Sequence, residues 1–435
     1  LDIEVLNQMG FITEETIAFI EAVSIVSVET GIAAYAVGGF VRELFLGEKN
    51  EDIDITVEGD AIQFAKQVAR LLNLTNVQTH PQFQTASVQA PSEGWIDIVT
   101  ARSEYYPYPG ALPVVKSSNI TEDLRRRDFT FNAMAIPIRE RKMLPLVDPF
   151  SGLKDLQKGL IRIMHPKSFH DDPTRIFRAV RYQTRLNFQL EAETKEAMQT
   201  ALKANVLETI SSDRIRNELI AILHEQCPNN ALRLLDEWNI LKYIHPGLTA
   251  VHAYNGLISQ IQSSLTQFAL LIPFYKIVSW EVYLLGLISI LQPDDAQNFL
   301  ERYHFPRSVQ NKIDELRVVQ ERDLINILEQ HDHLKPSRLV ELLDGLSKET
   351  LLWLMAKVST PQARFHISLY LRTLRHVKPQ INGHTLLKMG MKPGKAVGDV
   401  LRAIRKEKLD GRLITFDDEK TYAKKWIDTY LTDGT

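Results

Sequence analysis

The chain has one cysteine, no apolar run of membrane length, no repeat of fixed period and no low-complexity segment. Its single thiol, Cys227, excludes an internal disulfide and points to a reducing compartment, the cytoplasm. A membrane span needs roughly 18 uncharged apolar residues. The most apolar stretch, "FALLIPFYKIV" at 268–278, is shorter and holds Lys276, so a buried core helix is expected there and no membrane partner. No secretory signal pattern opens the chain; it begins at Leu1 rather than Met, as a trimmed chain or a piece of a longer protein would. Net charge is also scarce, −3 over 435 residues, which taken alone argues against a polyanionic partner.

That average hides a gradient. Residues 125–185 carry 14 Lys and Arg against 6 Asp and Glu, and residues 382–412 carry 8 against 3. Two basic regions on an otherwise acidic chain fit a localised nucleic-acid footprint. The length exceeds one ordinary core, so roughly two to four domains are expected.

The first 150 residues mix strands and helices. "AAYAVGGFVRELFLG" reads as strand, glycine turn and short helix, "EDIDITVEG" as a β-branched strand, and "AIQFAKQVARLL" as an amphipathic helix. "ASVQA", "WIDIVTA" and "AMAIPI" are further strands, and "YPYPGALP" is a turn. Past residue 152 the pattern becomes almost wholly helical; "SSDRIRNELIAIL" opens with a Ser/Asp cap.

Chemistry concentrates at three places. In "DID", Asp52 and Asp54 stand at i and i+2 of a strand and project to one face. Two carboxylates ~4 Å apart repel by roughly 4 kcal/mol at an effective dielectric near 20, a cost that a bound cation removes. Oxygen-only ligands favour Mg²⁺, and Asp97 in "WIDIV" is placed to add a third carboxylate. Upstream, Gly38, Gly39 and Arg42 of "GGFVR" form a phosphate cradle at a helix start. The third place is "DDPTRIFRAVRY" at 171–182, where Arg175, Arg178 and Arg181 recur every third residue behind Asp171 and Asp172, with Arg185 following. Asp172-Pro173 is also a good helix-opening pair.

These motifs resemble those of the class II tRNA nucleotidyltransferases, the CCA-adding enzymes and bacterial poly(A) polymerases of the polymerase-β superfamily. The resemblance runs over nearly the whole chain: "VGGFVRELFLGEKNEDIDI", "LRRRDFTFNAMAI", "VDPFSGLKDLQKGLIRI", "DDPTRIFRAVRY", "ISSDRIRNEL" and "INGHTLLKMGMKPGKAVGDVL" follow in order. It implies an α+β fold, a polymerase-β-like sheet domain followed by an elongated all-α remainder. The implied division is a catalytic head at 1–150, a nucleotide-reading neck at 151–225, a helical body at 226–335 and a tRNA-binding tail at 336–435.

The resemblance also implies an activity: template-independent addition of CCA from CTP and ATP to the 3′ end of tRNA, with Mg²⁺. Asp52 and Asp54 would hold the metals, assisted by Asp97, while Gly38, Gly39 and Arg42 take the triphosphate. Asp172 and Arg175 would read the base, Arg178 and Arg181 contact sugar or phosphate, and Arg127 and Asp128 lie near phosphates and ribose. The reading chemistry is sound in itself, because cytosine and adenine both present an amino donor beside a ring-nitrogen acceptor, matching a carboxylate and a guanidinium. In the tail, Lys388, Lys392, Lys395, Arg402 and Arg405 are expected on RNA. The alternatives are a relative adding only A, only CC or a poly(A) tract, a non-catalytic RNA-binding descendant, and a small-molecule nucleotidyltransferase. Three departures from the family pattern stand out: Glu43 where Asp is usual, Asp171 where Glu is usual, and Gln84 where glycine is common. The tyrosines of "SEYYPYP" at 103–109 are read either as an RNA-stacking surface or as a turn packed on the sheet.

Overall fold

The computed structural model describes residues 10, 12–49, 53–91, 94–139, 142–143, 145–248, 251–272 and 276–432. The chain divides into two compact units, Leu1–Leu219 and Ile220–Thr435.

The first unit is built on a seven-stranded mixed sheet of order β3-β4-β5-β2-β1-β8-β9. Its strands are β1 (Ala34–Val37), β2 (Asp54–Val57), β3 (Val77–His80), β4 (Thr85–Gln89), β5 (Trp95–Thr100), β8 (Ala135–Arg139) and β9 (Lys142–Met143), and a separate hairpin joins β6 (Arg102–Tyr105) to β7 (Val114–Ser117). β2 pairs antiparallel with β1 and parallel with β5. Helices α1 (Glu14–Thr30) and α3 (Ala61–Leu71) pack on the sheet, α1 against β8 and α3 against β4 and β5. Thr13 caps α1 by accepting from the Thr16 N–H (3.1 Å), and Asp60 caps α3 through the N–H groups of Ile62 and Gln63. α3 buries Phe64, Ala65 and Val68 completely, with each large side chain contributing ~1.5–3 kcal/mol.

The five strands anticipated from the sequence, β1, β2, β4, β5 and β8, stand where expected. β3, the β6–β7 hairpin and β9 carry polar sequences such as "VQTH" and "RSEY", which give little periodic signal, and form because the neighbouring strand supplies their hydrogen bonds. Gln84 adopts a left-handed φ of 50°, the conformation that favours glycine there, and its side chain accepts from Ser117 Oγ (2.9 Å).

The remaining helices of this unit include α2 (Gly39–Leu46), α4 (Ile120–Arg125), α5 (Gly152–Lys158), α6 (Ser168–Asp171), α7 (Thr174–Leu186), α8 (Ala192–Lys203) and α9 (Ser212–Leu223), the last crossing the division between the units. α7 buries Ile176, Phe177, Ala179 and Val180 and turns its arginine side away from that core. Asn187, at φ 55°, ends it.

The second unit is helical throughout its described residues. Helices Val251–Leu271, Ser279–Ile288 and Lys348–Lys357 pack together. The expectation of a buried helix over 268–278 is corrected here. The helix stops at Leu271, two residues before Pro273, and Leu270 is 79% exposed while Phe268 is buried; proline disfavours helix in the residue before it. Residues 273–275 lie outside the described ones. No described helix is long and apolar enough to cross a membrane. The C-terminal segment has its own small core of Ile381, Leu386, Met391, Val400, Ile404, Ala423 and Ile427. Fully buried Glu419 stitches that core together, accepting from Gln380 N, Ile381 N and Lys408 Nζ.

Candidate active site

A cavity of about 690 Å³ in the first unit gathers most of the residues singled out above. Eight basic and seven acidic side chains line it. Near-neutrality at such charge density means that most of these groups hold one another.

Gly38 sits between β1 and α2 at φ 69° and ψ −131°. A Cβ there would lie 2.9 Å from Arg127 Nη1 and 3.6 Å from Asp54 Oδ2. Only glycine therefore lets the backbone, the guanidinium and the carboxylate converge, and it leaves the first N–H groups of α2 facing the same space. Asp54 opens β2 on an exposed face, and Asp97 is its register partner on β5. The two residues' backbones thus stand one strand spacing apart, ~4.8 Å. Asp97 also accepts from Ser87 Oγ (2.5 Å). Asp54 lines the cavity and Asp97 does not. Asp52 lies outside the described residues.

Arg42 and Asp128 form a chain of contacts across the floor. Arg42 is buried and donates to Asn132 Oδ1 and to Glu43 Oε1 (2.7 Å). Asn132 donates in turn to Asp128 Oδ1 (3.0 Å), and Arg178 grips Asp128 Oδ2 through Nε (2.8 Å) and Nη2 (2.6 Å). Burial raises the Asp128 pKa, but Arg178, Asn132 and the Phe129 N–H outweigh it and hold the carboxyl at about 2. Asp128 in turn drives the Arg178 pKa upward. With Phe129 N–H also bound (2.8 Å), the roughly four acceptor sites of the carboxylate are filled, so a ribose hydroxyl would compete with Arg178 for it.

Asp172 and Arg175 both line the cavity, each fixed from behind rather than by the other. Asp172 Oδ1 accepts from Thr174 N (3.0 Å), Thr174 Oγ1 (2.6 Å) and Arg214 Nη2 (2.5 Å). It therefore opens α7, as the Asp-Pro pair anticipated, and also faces the cavity. Buried Arg175 donates to Ser168 Oγ (2.5 Å) and the Arg126 carbonyl (2.8 Å). Asp171 does not brace it; its carboxylate lies 3.6 Å from His165 Nε2. Arg181 stands 3.9 Å from Glu218, whose pKa burial raises.

Arg127 and Arg126 share fully buried Asp123 (3.1 and 2.8 Å), which keeps that carboxyl low in pKa despite its burial. Arg126 also bonds Glu104 (3.0 Å), which ties the β6–β7 hairpin to the site. Tyr106 of the hairpin loop lines the cavity and donates to Glu104 (3.2 Å); burial, then Glu104, pushes its phenol up to about 12. Tyr105 and Tyr108 point outward, 55% and 67% exposed. A Cβ on Gly110, at φ 71°, would strike Thr209, and the Gly110 carbonyl accepts from Arg214 Nη1 (3.1 Å).

Arg214, Arg126, Asp123 and Tyr182 were not singled out by sequence reasoning. Arg126, Tyr182 and Arg214 lie inside the motifs "LRRRDFTFNAMAI", "DDPTRIFRAVRY" and "ISSDRIRNEL", whereas Asp123 lies just outside them; the contacts of Arg126 with Glu104 and of Arg214 with Gly110 and Asp172 join segments apart in the chain. In the tail, Lys388, Lys392, Lys395 and Arg402 are exposed, with Arg402 beside Asp399. Arg405 differs, spanning Asp344 (2.8 Å) and the Val377 carbonyl (3.0 Å).

Comparison with known proteins agrees with this geometry. Residues 34–162 match the family model described as poly A polymerase head domain, and residues 187–251 match that of a probable RNA and SrmB-binding site of polymerase A. The chain is 34% identical to an A-adding tRNA nucleotidyltransferase of Geobacter sulfurreducens, over 98% of this chain and 49% of that protein. It is 32% identical to an A-adding tRNA nucleotidyltransferase of Halalkalibacterium halodurans, over 90% and 88%. A CCA-adding enzyme of Lactobacillus helveticus is 26% identical over 95% and 97%. The solved Thermotoga maritima CCA-adding enzyme complexed with tRNA superposes at a TM-score of 0.71 with 29% identity, covering 99% of each chain. The chain spans about half the length of the Geobacter and Aquifex relatives it matches. With a relative above 30% identity covered nearly end to end and the motifs assembled around one cavity, the chain belongs to the tRNA nucleotidyltransferase family.

Proposed function

We propose that the chain transfers a nucleotidyl group from ATP or CTP to the 3′-hydroxyl of tRNA without a template strand, releasing pyrophosphate. One observation carries this reading: a single cavity joins a glycine-opened helix start, an exposed carboxylate strand and a carboxylate–guanidinium set. Those three features suit a triphosphate, a metal-dependent transfer and a base edge respectively.

The α2 N–H groups beside Gly38 and Gly39, with Arg127, hold phosphate oxygens. Arg42 supports that cradle from below through Asn132 and Glu43. Asp172 and Arg175 present an acceptor and a donor, already oriented by Arg214 and Ser168, to the pairing edge of the base. Asp54 and Asp97, paired in register on an exposed face, fit a hard divalent cation such as Mg²⁺, and Asp52 would join them. When bound, such an ion supplies positive charge to the triphosphate and acidifies the attacking hydroxyl. Lys388, Lys392, Lys395 and Arg402 contribute phosphate contacts to the tRNA body.

Two product patterns divide the relatives. The A-adding proteins match at 34% and 32% identity and the CCA-adding protein at 26%, so terminal A addition is the pattern we place first and full CCA addition second. The test offers tRNAs ending at the discriminator, at C and at CC, each with labelled CTP or ATP. Label from ATP on the CC end alone identifies the A-adding pattern. Label from CTP on the shorter ends, followed by ATP, identifies full addition, and a long A ladder identifies a polymerase. Absence of label from every end overturns the reading.

A further inference from the structure

Helix α7 is tied to the sheet domain near its start, where Arg175 donates to the Arg126 carbonyl (2.8 Å), at the floor of the cavity, and again near its end. Arg178 grips Asp128. Seven residues on, Arg185 Nη2 donates to Glu43 Oε1 (2.9 Å), the same oxygen that receives Arg42 Nη2 (2.7 Å). Arg42 reaches Asn132, and Asn132 reaches Asp128. The contacts therefore close into a ring: Arg185, Glu43, Arg42, Asn132, Asp128, Arg178 and back along α7. Tyr182 occupies the middle, its ring 5.2 Å from the Arg42 guanidinium and 5.7 Å from that of Arg178. Residues 178, 182 and 185 share one helical face.

Two anchors seven residues apart lie about 10 Å from each other along the helix axis. The ties at Arg175 and Arg178 are within one turn of each other and leave a short lever, whereas the tie at Arg185 fixes the tilt over the length of the helix. We infer that Glu43 and Arg185 are positioning residues: this clamp sets the angle of α7 and thereby the separation between the phosphate cradle at Gly38–Arg42 and the base-facing pair Asp172 and Arg175. The inference rests on the nucleotidyl-transfer reading above and deepens it to nucleotide selection. Glu43 is buried and Arg185 is half-exposed, so the clamp reaches from the interior to the rim. The methylene by which Glu43 exceeds aspartate lets one carboxylate oxygen serve Arg42 and Arg185 together; aspartate here would keep Arg42 and lose Arg185.

The experiment measures kcat and KM for each of the four ribonucleoside triphosphates on tRNA ends, with melting temperature in parallel. The proteins are wild type, Arg185→Ala, Arg185→Lys and Glu43→Asp. Arg185→Ala leaves Glu43 paired with Arg42, so no buried charge is stranded. Ångström-scale misplacement in a site costs up to ~100-fold. Arg185→Ala and Glu43→Asp should each raise wrong-over-right selectivity in kcat/KM about tenfold, mainly through KM of the right nucleotide. Arg185→Lys should stay within about threefold of wild type, and melting temperatures within a few degrees. Unchanged selectivity in both Arg185→Ala and Glu43→Asp overturns the clamp while leaving the functional reading intact. Loss of rate in step with a lowered melting temperature, at constant selectivity, overturns it equally. A wild-type protein that labels no tRNA end overturns the functional reading and the clamp with it.

Discussion

The cavity of the first unit and the basic segment at 382–412 are both rich in positive charge and use it in opposite ways. Around the cavity each described arginine is held: Arg178 by Asp128, Arg127 by Asp123, Arg175 by Ser168 and a carbonyl, Arg185 by Glu43. In the tail Lys388, Lys392 and Lys395 stand exposed and make no ion pair among the described residues. Held guanidiniums are preorganised, so they discriminate by geometry and respond little to salt. Free ammonium groups attract any phosphate backbone and weaken steeply with salt. The difference teaches that the count of basic residues locates a polyanion partner, while the count of their carboxylate partners separates selection from mere attachment.

Five measurements would break or sharpen that contrast. The largest effect is expected from Asp54→Ala, which removes an exposed carboxylate from the strand face: incorporation should fall about 10³-fold, several kcal/mol, with little change in melting temperature. Retention of activity within tenfold would remove Asp54 from the chemistry. Next, Asp128→Asn strands Arg178 in a crowded positive site and should cost ~3 kcal/mol of stability at neutral pH. The folded pKa of Asp128 is depressed to about 2, below its unfolded value. Its contribution is therefore fully present above about pH 4 and is lost as pH falls toward 2. Denaturant titrations of both proteins should converge over that window; convergence on the alkaline side would contradict the pairing.

Arg214→Ala should lower kcat/KM for the nucleotide about tenfold, because Asp172 and Gly110 lose their shared donor. Lysine should not rescue it, since one ammonium cannot span both acceptors as a guanidinium fork does. The smallest effect belongs to the tail. Alanine at Lys388, Lys392 and Lys395 together should weaken tRNA binding several-fold at low salt and flatten the log–log salt dependence by up to ~1 per lysine that meets a phosphate, with stability unchanged. Arg405→Ala should instead cost ~1 kcal/mol of tail stability, read by melting, because it ties Asp344 to Val377. A salt slope that moved with Arg405 and not with the lysines would invert the comparison.

Local pattern determined more of this protein than its modest composition promised. Strand alternation placed β1, β2, β4, β5 and β8, the glycine pair after β1 marked the opening of α2, and the spacing of Asp172, Arg175 and Arg178 marked α7. Each is a short-range property, written in residues that are neighbours in the chain. The partners were decided elsewhere. Asp97 lies beside Asp54 only because β5 pairs parallel with β2. Arg214 joins Gly110 to Asp172 across segments about 100 and 40 residues away, and Glu43 meets Arg185 across 142. Periodicity cannot announce such contacts, since each depends on where the sheet and the helices finally pack; the sequence supplied the charged groups, and tertiary structure chose which of them would be held and which left to meet a ligand.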